Sequence, residues 1–194
     1  MKIVFCHGLE GSPNGTKAKF ILDSFKENHR VLVPKFTKSL EFSDFSCDLD
    51  ELEKIVDPGD IVIGSSRGGA LVAALPTPNV HKILIAPAVK KFNVEHVFLH
   101  PADVILHSKR DDTVDFRDSA ELSLQNKCVI IESGINHRMS DMQTLSLVKN
   151  LIAQIILQKS TKFVCIEEQN TLGICYITNV NKNKNTIALI RATH

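Results

Sequence analysis

The chain has 194 residues, 43% of them hydrophobic and 23% charged, with a net charge of +1. That length supports one domain with a full core, and the near balance of charge excludes both the basic field of a nucleic-acid binder and the acidic tract of a disordered chain. The apolar stretches are strand-sized, too short for a transmembrane helix.

Lys2-Ile3-Val4-Phe5-Cys6 is an almost continuous apolar run, the pattern of a strand buried on both faces of a parallel sheet. It begins so close to Met1 that a secretory leader is not expected. The run empties into His7-Gly8-Leu9-Glu10-Gly11-Ser12-Pro13-Asn14-Gly15, a loop rich in turn-formers. Thr16 is expected to cap a helix over 17–26 whose Phe20, Ile21 and Phe25 share a face. Residues 30–33 read as a second strand, stopped by Pro34. After an irregular stretch, a helix over 47–56 places Leu49, Leu52, Ile55 and Val56 on one side. Asp57-Pro58-Gly59-Asp60 turns the chain.

The next stretch organises the rest. Ile61-Val62-Ile63 is β-type, Gly64-Ser65-Ser66-Arg67-Gly68 is turn-like, and Gly69-Ala70-Leu71-Val72-Ala73-Ala74 is helix-forming. The five central residues fit Gly-x-Ser-x-Gly, the nucleophile elbow, in which a strand reverses sharply into a helix and leaves the serine exposed above the sheet. Gly64 and Gly68 are expected because a β-carbon at either place would strike the neighbouring backbone. A phosphate-binding loop is the competing explanation, but no Lys follows Gly68 as a Walker-type loop requires.

Downstream, residues 81–86, 104–107 and 127–132 read as strands, and 116–125 and 140–158 as helices. Strands alternating with helices predict an α/β architecture, a mostly parallel, doubly wound sheet with helices on both faces. Only 17 residues, 87–103, separate two of the strands, so any lid is minimal. Beyond residue 159 the pattern changes. Residues 163–166, 173–177 and 186–190 are β-type with no helix between them, and 181–185 is a polar turn. The expectation is a hydrolase domain over 1–159 and a β-rich extension over 160–194, whose possible roles include self-association. Five scattered cysteines, Cys6, Cys47, Cys128, Cys165 and Cys175, read as reduced thiols of a cytoplasmic protein.

A serine hydroxyl needs a base to take its proton, and the base needs a third group to orient it. With an elbow of this kind the chain order is Ser, acid, His, with acid and base in loops after later strands. Ser108-Lys109-Arg110-Asp111-Asp112-Thr113-Val114-Asp115 follows one strand, and Ser133-Gly134-Ile135-Asn136-His137 follows the next. His137 is therefore the expected base. Asp111 is favoured as the acid for its Asp-x-x-Val spacing, Asp112 is the reserve, and Asp115 is expected to cap the helix at Phe116. The tetrahedral intermediate needs two N–H donors, assigned to the amides of Arg67 and Leu9, with Gly8 turning the backbone inward. Arg67 either recognises an anionic substrate group, points to solvent or pairs with a carboxylate such as Glu10. His96 and His100, four apart, have helical zinc-ligand spacing but lack a third ligand. No metal or cofactor is expected.

Together these residues resemble the YqiA-like esterases, small α/β-hydrolases with little or no cap. The resemblance rests on His7-Gly8-Leu9-Glu10-Gly11-Ser12-Pro13 with Lys17-Ala18 after it. It also rests on Gly64-Ser65-Ser66-Arg67-Gly68-Gly69, Pro87-Ala88-Val89, Asp111-Asp112-Thr113-Val114-Asp115-Phe116-Arg117 and Gly134-Ile135-Asn136-His137. It spans roughly residues 1–158. It implies a serine hydrolase acting on small-molecule carboxyl esters with short acyl chains. Two departures stand out: Leu9-Glu10-Gly11 replaces the usual aromatic and polar residues, and Arg67 stands where Leu or Met is common. Thioesterase, lactonase or acyltransferase chemistry on the same residues, and a non-catalytic interaction protein on the same fold, remain open alternatives at this level.

Overall fold

Six short runs pair into one all-parallel sheet in this computed structural model, which describes residues 1–160 and the backbone of 176–177 and 187–188. In chain order they are β1 (Lys2–Cys6), α1 (Thr16–Phe25), β2 (Arg30–Leu32), α2 (Phe42–Ile55), β3 (Ile61–Ser65), α3 (Arg67–Ala74), β4 (His81–Ile85), β5 (Val104–His107), α4 (Phe116–Asn126), β6 (Val129–Glu132) and α5 (Met142–Ser160). The strand order is β2-β1-β3-β4-β5-β6.

The sequence pattern explains why the sheet is parallel and covered. β1, β3 and β4 are apolar on both faces, and their residues from Ile3 to Cys6, Ile61 to Ile63 and Ile83 to Ile85 are buried. Register pairs Val4 with Val62, Ile63 with Ile83 and Leu84 with Ile105. From β1 the chain first steps outward to β2, then returns past it to β3 and continues the other way. Right-handed crossovers therefore put α1 on one face and α2, α3 and α4 on the other. Packing agrees: Phe45 and Leu52 of α2, Leu71 of α3 and Leu122 of α4 share one core with Val4, Val62, Leu84 and Ile105. Ala18, Ile21 and Phe25 are the buried residues of α1.

The reversal of direction falls between β1 and β3. At such a switch point the loops leaving two neighbouring strands part to opposite sides and open a crevice at the carboxyl ends of the strands. β3 ends there at Ser65, directly beside the loop that leaves β1.

Several boundaries differ from expectation for physical reasons. Gly15, not Thr16, flanks the start of α1, and no side chain caps it. α2 starts at Phe42, five residues early, because Phe45 buries its ring against Phe92 with centroids 5.5 Å apart. Asp115 does cap α4, accepting the Arg117 N–H at 2.8 Å. Residues 94–100 are not helical, so His96 and His100 do not share a helix turn, and the His100 ring accepts the Ala102 N–H at 3.2 Å.

By internal contacts the chain divides into Met1–Asn150 and Leu151–His194. In the second unit Tyr176–Ile177 and Ile187–Ala188 pair antiparallel, Tyr176 opposite Ala188. The expected strand over 163–166 and the turn over 181–185 lie outside the described residues. Among the described residues no helix is long and apolar enough to cross a membrane.

The tightest backbone approach is at Gly68, where a β-carbon would lie 2.1 Å from the Cys6 carbonyl oxygen and 2.7 Å from that of His7. Gly64 is comparable, with its β-carbon 2.2 Å from the Gly68 oxygen. Neither obstacle is a side chain that can rotate away. Gly68→Ala is expected to cost about 3 kcal/mol or more, read as a fall in denaturant midpoint at unchanged slope.

Candidate active site

Ser66 links β3 to α3 with φ 54° and ψ −114°. A non-glycine residue at positive φ is strained and persists only where surrounding bonds hold it. Here the Ser66 N–H donates to Ile85 O at 2.9 Å, and Ser66 O accepts from Ala70 at 3.0 Å and Ala88 at 3.1 Å. The strain leaves the hydroxyl standing over the crevice.

His137 arrives from the loop after β6, and its Nε2 lies 2.9 Å from Ser66 Oγ. On the other side of the ring, His137 Nδ1 is 2.7 Å from Asp111 Oδ2. Since a carboxylate only accepts, the ring proton sits on Nδ1 and Nε2 is free to accept the serine O–H. Asp111 comes from the loop after β5. Its Oδ1 accepts the N–H groups of Thr113 and Val114 at 2.8 and 2.9 Å. Burial pushes the Asp111 carboxyl up, but the Val114 amide, His137 and the Thr113 amide outweigh it and hold the group below its ordinary value. Of the competing carboxylates, Asp112 is exposed and bonds Thr113 Oγ1, while Asp115 caps α4. The fold thus brings together Ser66, His137 and Asp111 from three loops on one rim.

The loop that carries His137 is pinned at several points. Ser108 Oγ donates to Gly134 O at 2.9 Å, which ties the Asp111 loop to the His137 loop. Ser133 and Thr144 share a hydroxyl bond of 2.9 Å. Lys17, from the first turn of α1, donates to the Arg138 carbonyl. Burial and the neighbouring Arg138 charge lower the Lys17 ammonium to about 8.

One member of the network was not singled out from the sequence. His107, the last residue of β5, is fully buried with Nε2 3.0 Å from Asp111 Oδ2 and 3.2 Å from Val114 O. Both partners accept, so Nε2 carries the proton and Nδ1 accepts the Ser119 hydroxyl at 2.7 Å. Burial lowers the pKa of His107, which keeps it neutral. The same Asp111 oxygen therefore receives two imidazole N–H groups. A histidine ending an apolar strand four residues before the acid was the available signal.

Leu9 lies in the turn after β1, closed by a 2.9 Å bond from Gly11 N–H to Gly8 O. Arg67 is the first residue of α3, where a helix leaves its N–H groups without intrahelical partners. Gly8 comes so near the elbow that a β-carbon on it would be 3.2 Å from the Ser66 β-carbon. His7 is buried, with Nδ1 2.9 Å from Gly8 O and Nε2 accepting the Phe36 N–H at 3.3 Å. The Arg67 side chain pairs with a carboxylate, as one expectation had it, but the partner is Asp48 and not Glu10. It is 1% exposed and pairs with Asp48, Nη2 to Oδ2 2.6 Å, so it meets neither Glu10 nor the crevice.

The crevice encloses about 550 Å³ and contains Ser66 and His137. Phe5, Leu9 and Phe92 form its apolar surfaces, and Glu10, Lys17 and Arg138 are among its polar ones. Among the described residues no group of three or more His, Cys, Asp or Glu side chains is arranged to hold a metal ion.

Residues 2–100 match the model of an uncharacterised protein family, UPF0227. The chain belongs to that family. The YqiA-like resemblance is in accord with this UPF0227 membership, and the fold is that of the α/β-hydrolases. Mouse alpha/beta hydrolase domain-containing protein 10 superposes with TM-score 0.65 at 18% identity, over 81% of this chain and 90% of that one. The ydeN gene product of B. subtilis gives 0.65 at 14%, over 81% and 100%. Est1E from Butyrivibrio proteoclasticus, with ferulic acid bound, gives 0.60 at 16%, over 82% and 89%. No curated protein matches the UPF0227 chain.

The depressed Asp111 carboxyl has a consequence for stability. A group whose folded pKa lies below its unfolded value stabilises the fold above the unfolded pKa, and that contribution is lost as pH falls through the folded one. Asp111→Asn is therefore expected to flatten part of the acid-induced loss of stability below about pH 4, measured by denaturant titrations between pH 2 and 6.

Proposed function

We propose that the protein is a serine carboxylesterase. The observation that carries this reading is the continuous chain from Ser66 Oγ through the His137 ring to Asp111, 2.9 and 2.7 Å, at a positive-φ elbow. In the first half-reaction Ser66 Oγ attacks the acyl carbon while its proton passes to His137 Nε2. Asp111 holds the imidazole in its Nδ1–H tautomer and stabilises the imidazolium that forms. The oxyanion is received by the amides of Leu9 and Arg67. Collapse expels the alcohol, which takes the proton back from His137, and leaves the acyl group on Ser66. A water then gives a proton to His137 and attacks the acyl carbon; His137 returns that proton to Ser66 Oγ as the Oγ–acyl bond breaks, which releases the acid and regenerates the serine.

The crevice supports small-molecule substrates, because its volume is within the range of ligand pockets and charged groups interrupt its apolar surfaces. Ferulic acid, bound to the structural neighbour Est1E, is a carboxylic acid, the kind of product that hydrolysis of an ester or a thioester releases. A scaffold with no catalysis has no use for a strained serine bonded to a carboxylate-oriented histidine. We place the activity in residues 1–159. The free thiols of Cys6, Cys47 and Cys128 favour a reducing, cytoplasmic setting.

The test is hydrolysis of p-nitrophenyl acetate and butyrate by wild type and Ser66→Ala side by side. A wild-type rate that falls at least about 10³-fold in the variant, with acetate and butyrate preferred over longer esters, is the expected result. Equal rates in the two proteins would remove Ser66 as nucleophile. Activity on thioesters alone would move the function to that class.

A further inference from the structure

The two amides proposed to receive the oxyanion lie far apart in the sequence, yet a single short segment bonds a side chain beside each of them, His7 and Arg67. Phe36 donates its N–H to His7 Nε2 at 3.3 Å, and His7 in turn bonds Gly8 O, next to Leu9. One residue on, Thr37 donates its N–H to Asp48 at 3.1 Å and its hydroxyl to Asp48 Oδ2 at 2.7 Å. The same hydroxyl accepts from Arg67 Nη2 at 3.1 Å. Ser39 O accepts from Arg67 Nε at 3.1 Å. The guanidinium lies over the rings of Phe45 and Phe92, 5.5 and 5.6 Å from their centroids, and pairs with Asp48.

We propose that residues 36–39 are a strap that sets the oxyanion hole, with Arg67 as its positioning residue. The inference rests on the esterase reading above. Its physical basis is that a planar guanidinium, held by a carboxylate, a hydroxyl, a carbonyl and two aromatic faces, has one orientation. That orientation fixes the first residue of α3, whose amide is one donor. Asp48, Thr37 and Phe36 carry the constraint to His7, which holds the loop of the other donor. Leu or Met at position 67 would pack there without reaching Asp48 or Ser39, so this chain's arginine supplies a link that an apolar residue cannot. The side chain acts through its own backbone and does not touch substrate.

Three variants test it: Arg67→Met, Asp48→Asn and the gentler Thr37→Val, which keeps the ion pair. For each, kcat and KM on p-nitrophenyl acetate are measured with the pH profile of kcat. The inhibition constants of a trifluoromethyl ketone, which forms a tetrahedral adduct with an oxyanion, and of a planar ketone of the same shape are also measured. Arg67→Met is expected to lower kcat and trifluoromethyl ketone affinity together by about 10–100-fold. KM, planar-ketone affinity and the acid limb of the pH profile should stay in place. Thr37→Val should move the same two quantities in the same direction by about 3-fold. If Arg67→Met fails to fold, Thr37→Val decides. Unchanged kcat in a folded variant, or a parallel loss of planar and tetrahedral binding, would overturn the strap while leaving the esterase standing. A wild type that neither turns over ester nor binds the trifluoromethyl ketone would overturn both.

Discussion

Everything in this site depends on how closely the backbone of β3 and α3 can approach β1. The turn at Ser66 reverses the chain within one residue, and this needs the Gly64 and Gly68 positions to carry no side chain. Only then does α3 sit on the sheet with its N-terminus beside the loop that leaves β1. The strain at Ser66, φ 54°, is balanced by three backbone bonds to Ile85, Ala70 and Ala88. Those bonds come from β4, α3 and the segment after β4, so the elbow is a junction of the sheet and not a local loop. A looser turn would return the serine to an ordinary conformation and withdraw it from the crevice.

Around this junction buried polar groups bond to one another in sets, with Arg67 Nη1 left without a hydrogen-bond partner. Asp111 accepts two backbone amides on one oxygen and two imidazoles on the other. His107 and His137 are chemically alike but opposite in setting. One is sealed between Ser119 and Asp111 with both nitrogens occupied, and the other keeps Nε2 for Ser66. Burial favours the neutral ring in His107. Arg67 and Asp48 form a second buried set, where an unpaired charge of either sign would be costly.

The remote solved structures share the fold at 14–18% identity, which leaves little but the backbone plan in common. On that plan the UPF0227 chain carries side-chain ties: Lys17 on the Arg138 carbonyl, Ser108 on Gly134, and Arg67 on the segment after β2. Each tie joins two segments that the sheet places side by side but does not itself fasten.

Sequence alone determined the parts governed by local rules. Apolar runs of four or five residues announced the strands, because a strand buried on both faces has no polar positions to spare. The glycine-flanked Ser66 announced the elbow, chain order then pointed to His137 and to the loop 108–115, each after a strand ending on the same rim, and the Asp-x-x-Val spacing favoured Asp111 within that loop. Asp115 was legible as a cap for the same reason, its role being met within two residues. Tertiary structure decided what depends on pairs distant in the chain. Arg67 could not be told from a substrate contact by spacing, because its partner Asp48 lies on another helix and only the packing of α2 against α3 buries the two together. His107 read as the end of a strand until the fold turned Asp111 back onto it. The early start of α2 follows from Phe45 meeting Phe92, 47 residues away in sequence. Local propensity carries no information about such a contact, since its energy comes from surface that is hidden only after the chain has folded.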